Sequence, residues 1–179
     1  MLLDPAGRRF ADETRRDHNN AMALAAHGGR GLLLWSEEVQ RGAAQAPFVP
    51  GSPRLDRWAF TRDRGGRATV ADDLAALAPV LDRWGYRLPL ELDDEARARL
   101  GAGPVYAADV VPAITFTFGG VVVDDDGVAV DEAGRAIPGL YAAGADMSDV
   151  YHQGYGGGLC LAVVSGRRAG VAAAREDSK

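Results

Sequence analysis

Hydrophobic and polar positions follow two different periods along this chain, and the change falls near Gly103. Met1-Leu2-Leu3 is a short apolar run closed by Asp4-Pro5-Ala6-Gly7, which predicts a strand running into a turn with Gly7 at positive φ. The apolar segment from Ala21 to Ala26 predicts a short helix ended by Gly28 and Gly29. Gly31 to Trp35 is apolar throughout and of strand length, so it predicts a buried strand. From Gln40 to Gly66 the pattern fails. Pro47, Pro50 and Pro53, with Gly51 and Ser52, predict an irregular loop anchored by Trp58 and Phe60. Between Thr69 and Trp84, the positions Leu74, Leu77, Val80, Leu81 and Trp84 recur at a helical three-four spacing. Pro79 falls inside that pattern at a cost of about 3 kcal/mol, which predicts a kink or two shorter helices. Asp93 to Leu100 predicts another short helix, capped by Asp93 and stopped by Gly101.

Beyond Gly103 the period becomes that of strands. Pro104 to Val111 and Ala113 to Phe118 read as extended, and Gly119-Gly120 as a turn. Val121 to Val123 and Val128 to Val130 flank Asp124 to Gly127, where an Asp-Gly pair between valine runs predicts a hairpin. Asp131 to Arg135 predicts a second turn. A short strand from Leu140 to Ala143 follows, then a polar loop, then Gly156, Gly157 and Gly158 opening an apolar helix from Leu159 to Ala174. Bare backbone N–H groups at a helix N-terminus favour a phosphate or another electron-rich ligand edge, because they lack intrahelical acceptors and the dipole is positive there. Small residues on that helix (Ala162, Ser165, Gly166, Ala169, Gly170, Ala173) let it pack closely against a sheet or a cofactor.

Composition narrows the class. Hydrophobic residues make up 47% of the 179 positions, enough for a real core. The net charge of −5 does not favour nucleic acid or an anionic membrane surface. The single cysteine, Cys160, excludes an internal disulfide and a multi-cysteine zinc site, and reads as a small buried residue. Three scattered histidines give no metal-ligand spacing. No apolar run has the length of a membrane span, and Asp4 and Arg8 interrupt any leader-like start, so a cytoplasmic chain is expected.

Four motifs in fixed order, TFTFGGVVVD, IPGLYAAG, YGGG and GRRAG, resemble the C-terminal part of FAD-dependent dehydrogenases of the fumarate reductase and succinate dehydrogenase flavoprotein superfamily. The branch most similar is the tricarballylate dehydrogenase-like proteins. The opening GRRFADETRRD is similar to the segment through which that family enters its capping, or substrate, domain. The resemblance is strong over Leu2 to Asp17 and Pro104 to Gly170, and general between Gln40 and Gly103.

The resemblance implies an α+β chain with two parts. Residues 1–112 would form a capping domain with a short strand from the FAD domain, and residues 113–179 the C-terminal segment of the Rossmann-like FAD-binding domain. It implies FAD contacts from Gly144, Ala145 and Asp146 after the strand, and from Gly157, Gly158, Leu159 and Cys160 at the pyrimidine edge of the flavin. Negative charge develops there on reduction, and a helix N-terminus stabilises it. Arg16 matches the proton-donating arginine of the fumarate reductases. Two departures weaken a fumarate-like substrate: Phe116 stands where the family carries a substrate-binding histidine, and Tyr155 where it carries a second arginine. A third concerns the cofactor, with Ala145 where the family carries an acid that contacts it and Asp146 one place later. Tyr155 becomes a candidate hydrogen-bond donor or proton relay, with His152 and Gln153 in the same loop. The G-x-G-x-x-G fingerprint for the FAD pyrophosphate is absent. The expected protein is therefore half a flavin site. It would serve either as an oxidoreductase module for a small organic acid, completed by a separate FAD-domain chain, or as a non-catalytic remnant.

Overall fold

A computed structural model describes residues 1–47, 50–114, 117, 119–151 and 156–176. The chain forms two compact units, Met1–Ala113 and Ile114–Lys179.

The first unit is built on a four-stranded antiparallel sheet in the order β1-β2-β4-β3. Its strands are β1 (Leu2–Leu3), β2 (Gly31–Ser36), β3 (Ala68–Ala71) and β4 (Val105–Val110). Register assigns the faces. Leu34 pairs with Ala107 and Ser36 with Val105, so Leu32, Leu34, Val105 and Ala107 share one side and are fully buried. That side is covered by α4 (Leu74–Arg83) through Leu77 and Leu81, and by α5 (Asp94–Leu100) through Ala96 and Leu100. Each fully buried leucine contributes about 1.5–3 kcal/mol relative to exposure. The β1 strand and its turn form as the sequence predicts, with Gly7 at φ 80° against the Arg87 carbonyl. So does α5, whose Asp93 carboxylate accepts the Ala96 N–H at 2.7 Å and whose Gly101 lies at φ 71°.

Three expectations are revised. The helix ended by Gly28 and Gly29 begins earlier, as α1 (Arg16–Ala26). The stretch expected to be irregular holds the end of α2 (Glu37–Arg41) and all of α3 (Arg57–Asp63). Its order comes from a side-chain relay. Trp35 Nε1 donates to Gln40 Oε1 at 2.9 Å, and Gln40 Nε2 donates to Asp56 at 3.0 Å. The same Asp56 oxygen caps α3 by accepting the Ala59 N–H at 3.0 Å. Trp58 does anchor the segment, donating to the Thr69 carbonyl and packing edge-on against Tyr106, whereas Phe60 is exposed under the Arg64 guanidinium. Finally, α4 runs as one helix through Pro79. The proline forfeits a single bond to the Ala75 carbonyl, while Leu77 and Leu81 on either side are fully buried.

The second unit holds β5 (Val128–Val130), β6 (Ala136–Tyr141) and α6 (Gly158–Glu176). The predicted hairpin closes over Asp124 to Gly127, with Asp124 N–H donating to Val128 O and Val130 N–H to Val122 O. The Asp131 to Arg135 turn also forms, and Asp131 accepts the Ala133 and Arg135 N–H groups. The strand expected at Leu140 to Ala143 starts at Ala136 and ends at Tyr141, because its pairing with β5 sets its extent. Of Ala113 to Phe118, the described residues Ala113, Ile114 and Thr117 lie outside any strand.

Candidate functional site

The site in the second unit is assembled from three segments. Val121 N–H donates to the Asp146 carbonyl at 2.8 Å and Ser148 N–H to the Val121 carbonyl at 3.0 Å, forming a parallel bridge between Val121 and Met147. The Gly119-Gly120 pair is thereby laid beside the turn Gly144–Asp146. Contact at Gly120 is so close that a Cβ there would lie 2.3 Å from the Asp146 carbonyl oxygen, so only glycine fits.

The third segment is α6, which docks through its small residues. Ser165 and Ala169 are its buried positions. The Gly144 N–H donates to Ser165 Oγ at 2.8 Å, and the same hydroxyl donates to the Leu161 carbonyl at 2.6 Å. Ala169 lies under Gly127, where a Cβ would stand 2.9 Å from the alanine methyl. The hydrogen-bonding role of Ser165 was not evident from sequence, where it counted only as one small residue among several. The signal that could have found it is its spacing with Ala162 and Ala169 on a single helix face.

Gly157 accepts the first helical bond of α6, from Leu161 N–H at 2.9 Å, and sits at φ 72°. The N–H groups of Gly158, Leu159 and Cys160 therefore occupy the first turn, where no intrahelical acceptor exists. Among the described residues, chain neighbours apart, no heavy atom lies within 4 Å of where a Cβ on Gly156 would stand, and the Cys160 Cβ lies 4.0 Å from that of Gly157. Bare backbone with first-turn N–H groups suits the approach of a flat ring edge, so this end of an FAD site fits the residues present. The phosphate end has no counterpart among the described residues of this unit. Cys160 is exposed, contrary to the expectation of burial, because it lies on the side of α6 opposite Ser165 and Ala169. Leu159 and Val163 on the outer side are 86% and 71% exposed.

The remaining candidates are distributed as follows. Gly144 is buried at φ 63°, and Ala145 and Asp146 are exposed in the turn beside it. Arg16 opens α1, and its side chain lies outside the described part of the structure. Tyr155, His152, Gln153 and Phe116 also lie outside the described residues. Among the described residues no cluster of His, Cys, Asp or Glu could hold a metal ion. No described helix is long and apolar enough to cross a membrane.

The chain belongs to the FAD binding domain family, whose model matches residues 1–160. FAD is the cofactor of that family. The relatives confirm the superfamily that the motifs imply. The fumarate reductase (cytochrome) of Shewanella frigidimarina is 28% identical over 193 aligned positions, covering 100% of this chain and 32% of the relative. The 4-oxocyclohex-2-ene-1-carboxylate 5-dehydrogenase of Sinomonas cyclohexanicum is 41% identical over 90 positions, which cover 46% of this chain and 15% of the relative. Among solved structures, the 3-ketosteroid delta1-dehydrogenase of Sterolibacterium denitrificans, in complex with 1,4-androstadiene-3,17-dione, aligns over 100% of this chain and 39% of its own. Its TM-score is 0.63 at 21% identity, which is a likeness of fold. The chain spans about a third of the length of the fumarate reductases it matches end to end.

Proposed function

We propose that this chain is the substrate-cap and flavin-edge module of an FAD-dependent oxidoreductase acting on a CH–CH bond of a small organic acid or related substrate. In this reading Met1–Ala113 is the capping domain and Ile114–Lys179 the C-terminal segment of the FAD-binding domain. FAD, when bound, supplies the two-electron chemistry. The protein's part is to hold the ring. The N–H groups of Gly158, Leu159 and Cys160 face the electron-rich pyrimidine edge, and Gly144, Ala145 and Asp146 line the adjoining turn. The helix dipole stabilises the negative charge that reduction places on the ring. Arg16 and Tyr155 are the proposed proton-handling residues.

The observation that carries the reading is the start of a 19-residue helix on bare glycine backbone, with the Gly158, Leu159 and Cys160 N–H groups in a first turn that has no intrahelical acceptor. The exposed outer side of α6, with Leu159, Val163 and Val164, supports a further part of the proposal. That surface would pack against an FAD-domain polypeptide carrying the phosphate-binding fingerprint.

The test is the visible spectrum of the purified chain with FAD, alone and with the corresponding N-terminal FAD-domain polypeptide of a relative. Association of the two, with a perturbed flavin spectrum and dehydrogenase activity, is the expected result. A folded monomer that leaves the FAD spectrum unchanged under both conditions would sink the proposal in favour of a non-catalytic remnant. A Gly156→Val substitution should weaken flavin binding about tenfold or more without unfolding the chain, since its Cβ meets no described atom outside the chain neighbours.

A further inference from the structure

The first unit contains a second candidate site that the flavin reading does not use. On the side of the sheet opposite the leucine core, a cleft of about 870 Å³ opens between the strands, α2 and α3. Its volume is in the usual range for small-molecule sites. Leu33, Trp35 and Ala108 line it from the sheet, and Val39 and Trp58 from the helices. Both indole N–H groups are already satisfied within the protein. Trp35 Nε1 is committed to Gln40, and Trp58 Nε1 to the Thr69 carbonyl. The indoles therefore offer the cleft ring carbon, which suits a hydrocarbon body.

Three charged side chains reach the lining, Glu13, Arg57 and Arg99, and Arg99 is paired with Glu95 at 2.6 Å. Glu13 reaches the lining, but its carboxylate is taken by the Arg9 guanidinium and the Leu2 N–H at 2.6 Å each. Arg57, also on the lining, donates to two neutral carbonyls, Ala44 O at 2.7 Å and Ala46 O at 3.0 Å. Those bonds fix its guanidinium in place without neutralising it. A fixed cation beside an apolar cleft complements a molecule with a hydrocarbon body and an anionic head. We infer that this cleft binds an amphiphilic carboxylate, its chain against Trp35 and Trp58 and its head group at Arg57.

All three tryptophans lie in this unit and two of them line the cleft, so intrinsic fluorescence reads occupancy directly. The full-length chain would be titrated with dodecanoate, with dodecanol as the uncharged counterpart and acetate as the head group alone. Saturable quenching by dodecanoate, about tenfold weaker binding of dodecanol, and no response to acetate are expected. Arg57→Gln should remove the preference for dodecanoate and leave dodecanol unchanged. Ala108→Phe should abolish binding by filling the floor. Ala44→Phe, placed on the wall, repeats that test if the floor variant fails to fold by circular dichroism. Equal affinity for acid and alcohol, or binding indifferent to both filling variants, would overturn the inference. So would self-association that shields Trp58 and is not dispersed by dodecanoate, which would assign the cleft to a protein segment.

Discussion

The two units solve the problem of stability differently. Met1–Ala113 encloses a leucine-rich core between its sheet and two helices, with Leu3, Leu32, Leu34, Leu77 and Leu81 entirely shielded. In Ile114–Lys179 the only buried apolar side chains among the described residues are Ala129 and Ala169. The second unit is held by backbone pairing and close approach of small residues. Its one long helix keeps an apolar side exposed. The difference bears on the proposed function. A unit that buries its own large side chains can stand as a scaffold, whereas one that leaves them outside offers the surface that the proposed packing against a flavin and its domain would need.

This comparison predicts unequal unfolding. Tryptophan fluorescence reports only the first unit, and far-UV circular dichroism has a large contribution from α6. In urea, the α6 share of the helix signal should be lost before tryptophan fluorescence changes, the rest together with it, and fully coincident transitions would break the contrast. The largest single effect is expected for Leu34→Ala. The side chain is fully buried, so truncation should cost about 2–5 kcal/mol and move the fluorescence transition. The early helix loss should remain where it was.

Next in size is Asp109, near the end of β4. Its carboxylate accepts from Arg30 at 2.8 and 3.0 Å, from Tyr86 OH at 2.8 Å and from Arg67 at 3.1 Å, with the side chain only 10% exposed. Arg30 also reaches the Trp84 carbonyl and stacks on the Tyr86 ring. Asp109→Asn should destabilise the first unit by about 2–3 kcal/mol, less than a fully buried pair because both arginines are partly solvated. Burial alone would raise the Asp109 pKa, but the bonds from Arg30, Tyr86 and Arg67 together hold it below the ordinary value. Its stabilisation is therefore present above the unfolded carboxylate range and is lost as pH falls through the depressed folded value. Tyr86 has the opposite sign. Burial, then its bond to Asp109, raises its phenol above the ordinary value. The stabilisation from that phenol is complete below the unfolded tyrosine value of about 10 and is lost as pH rises beyond it. Fluorescence-monitored stability should fall at both extremes, and Asp109→Asn should flatten the acid limb.

A smaller effect, confined to the second unit, is expected for Gly120→Ala. Its Cβ would collide with the Asp146 carbonyl, a backbone atom that cannot swing aside. The parallel bridge must open, at about 1–3 kcal/mol. Circular dichroism and flavin binding should both respond while tryptophan fluorescence stays fixed. A change in fluorescence would show that the units are not independent.

What sequence made legible divides along the same line. In the first unit the apolar runs locate β1, β2 and β4, the period of the leucines locates α4, and Asp93 and Gly101 announce both ends of α5, whereas β3 (Ala68–Ala71) falls at the start of the segment read as helical. What it hides there is long-range. Nothing local to Asp109 foretells Arg30, Arg67 and Tyr86 converging on it, and the relay from Trp35 through Gln40 to Asp56 turns a proline-rich loop into a capped helix. In the second unit the valine runs and Asp126-Gly127 reveal the hairpin, and the three glycines mark the helix start. The extent of β6 is settled by pairing and not by its own composition, and the fit of Gly120 against Asp146 depends on a contact between segments far apart in sequence.

Ser165 offers the finest test of the contrast. Its hydroxyl both accepts the buried Gly144 N–H and returns a hydrogen bond to the Leu161 carbonyl. Ser165→Ala removes the acceptor and leaves a buried donor unpaired, at about 1–2 kcal/mol, while Ser165→Thr retains the hydroxyl and adds a methyl against the turn. If the second unit is held by such small polar and close-packed contacts, the alanine variant should lower the helix transition measurably and weaken FAD binding by loosening Gly144–Asp146. An equal loss from Leu159→Ala in the isolated chain would instead mean that the outer side of α6 already has a partner within it, and that the helix is not waiting for one. The expected ordering is the reverse. Leu159→Ala should be nearly silent in the isolated chain and costly only once an FAD domain is bound, because an 86% exposed leucine has almost no burial to lose until something covers it.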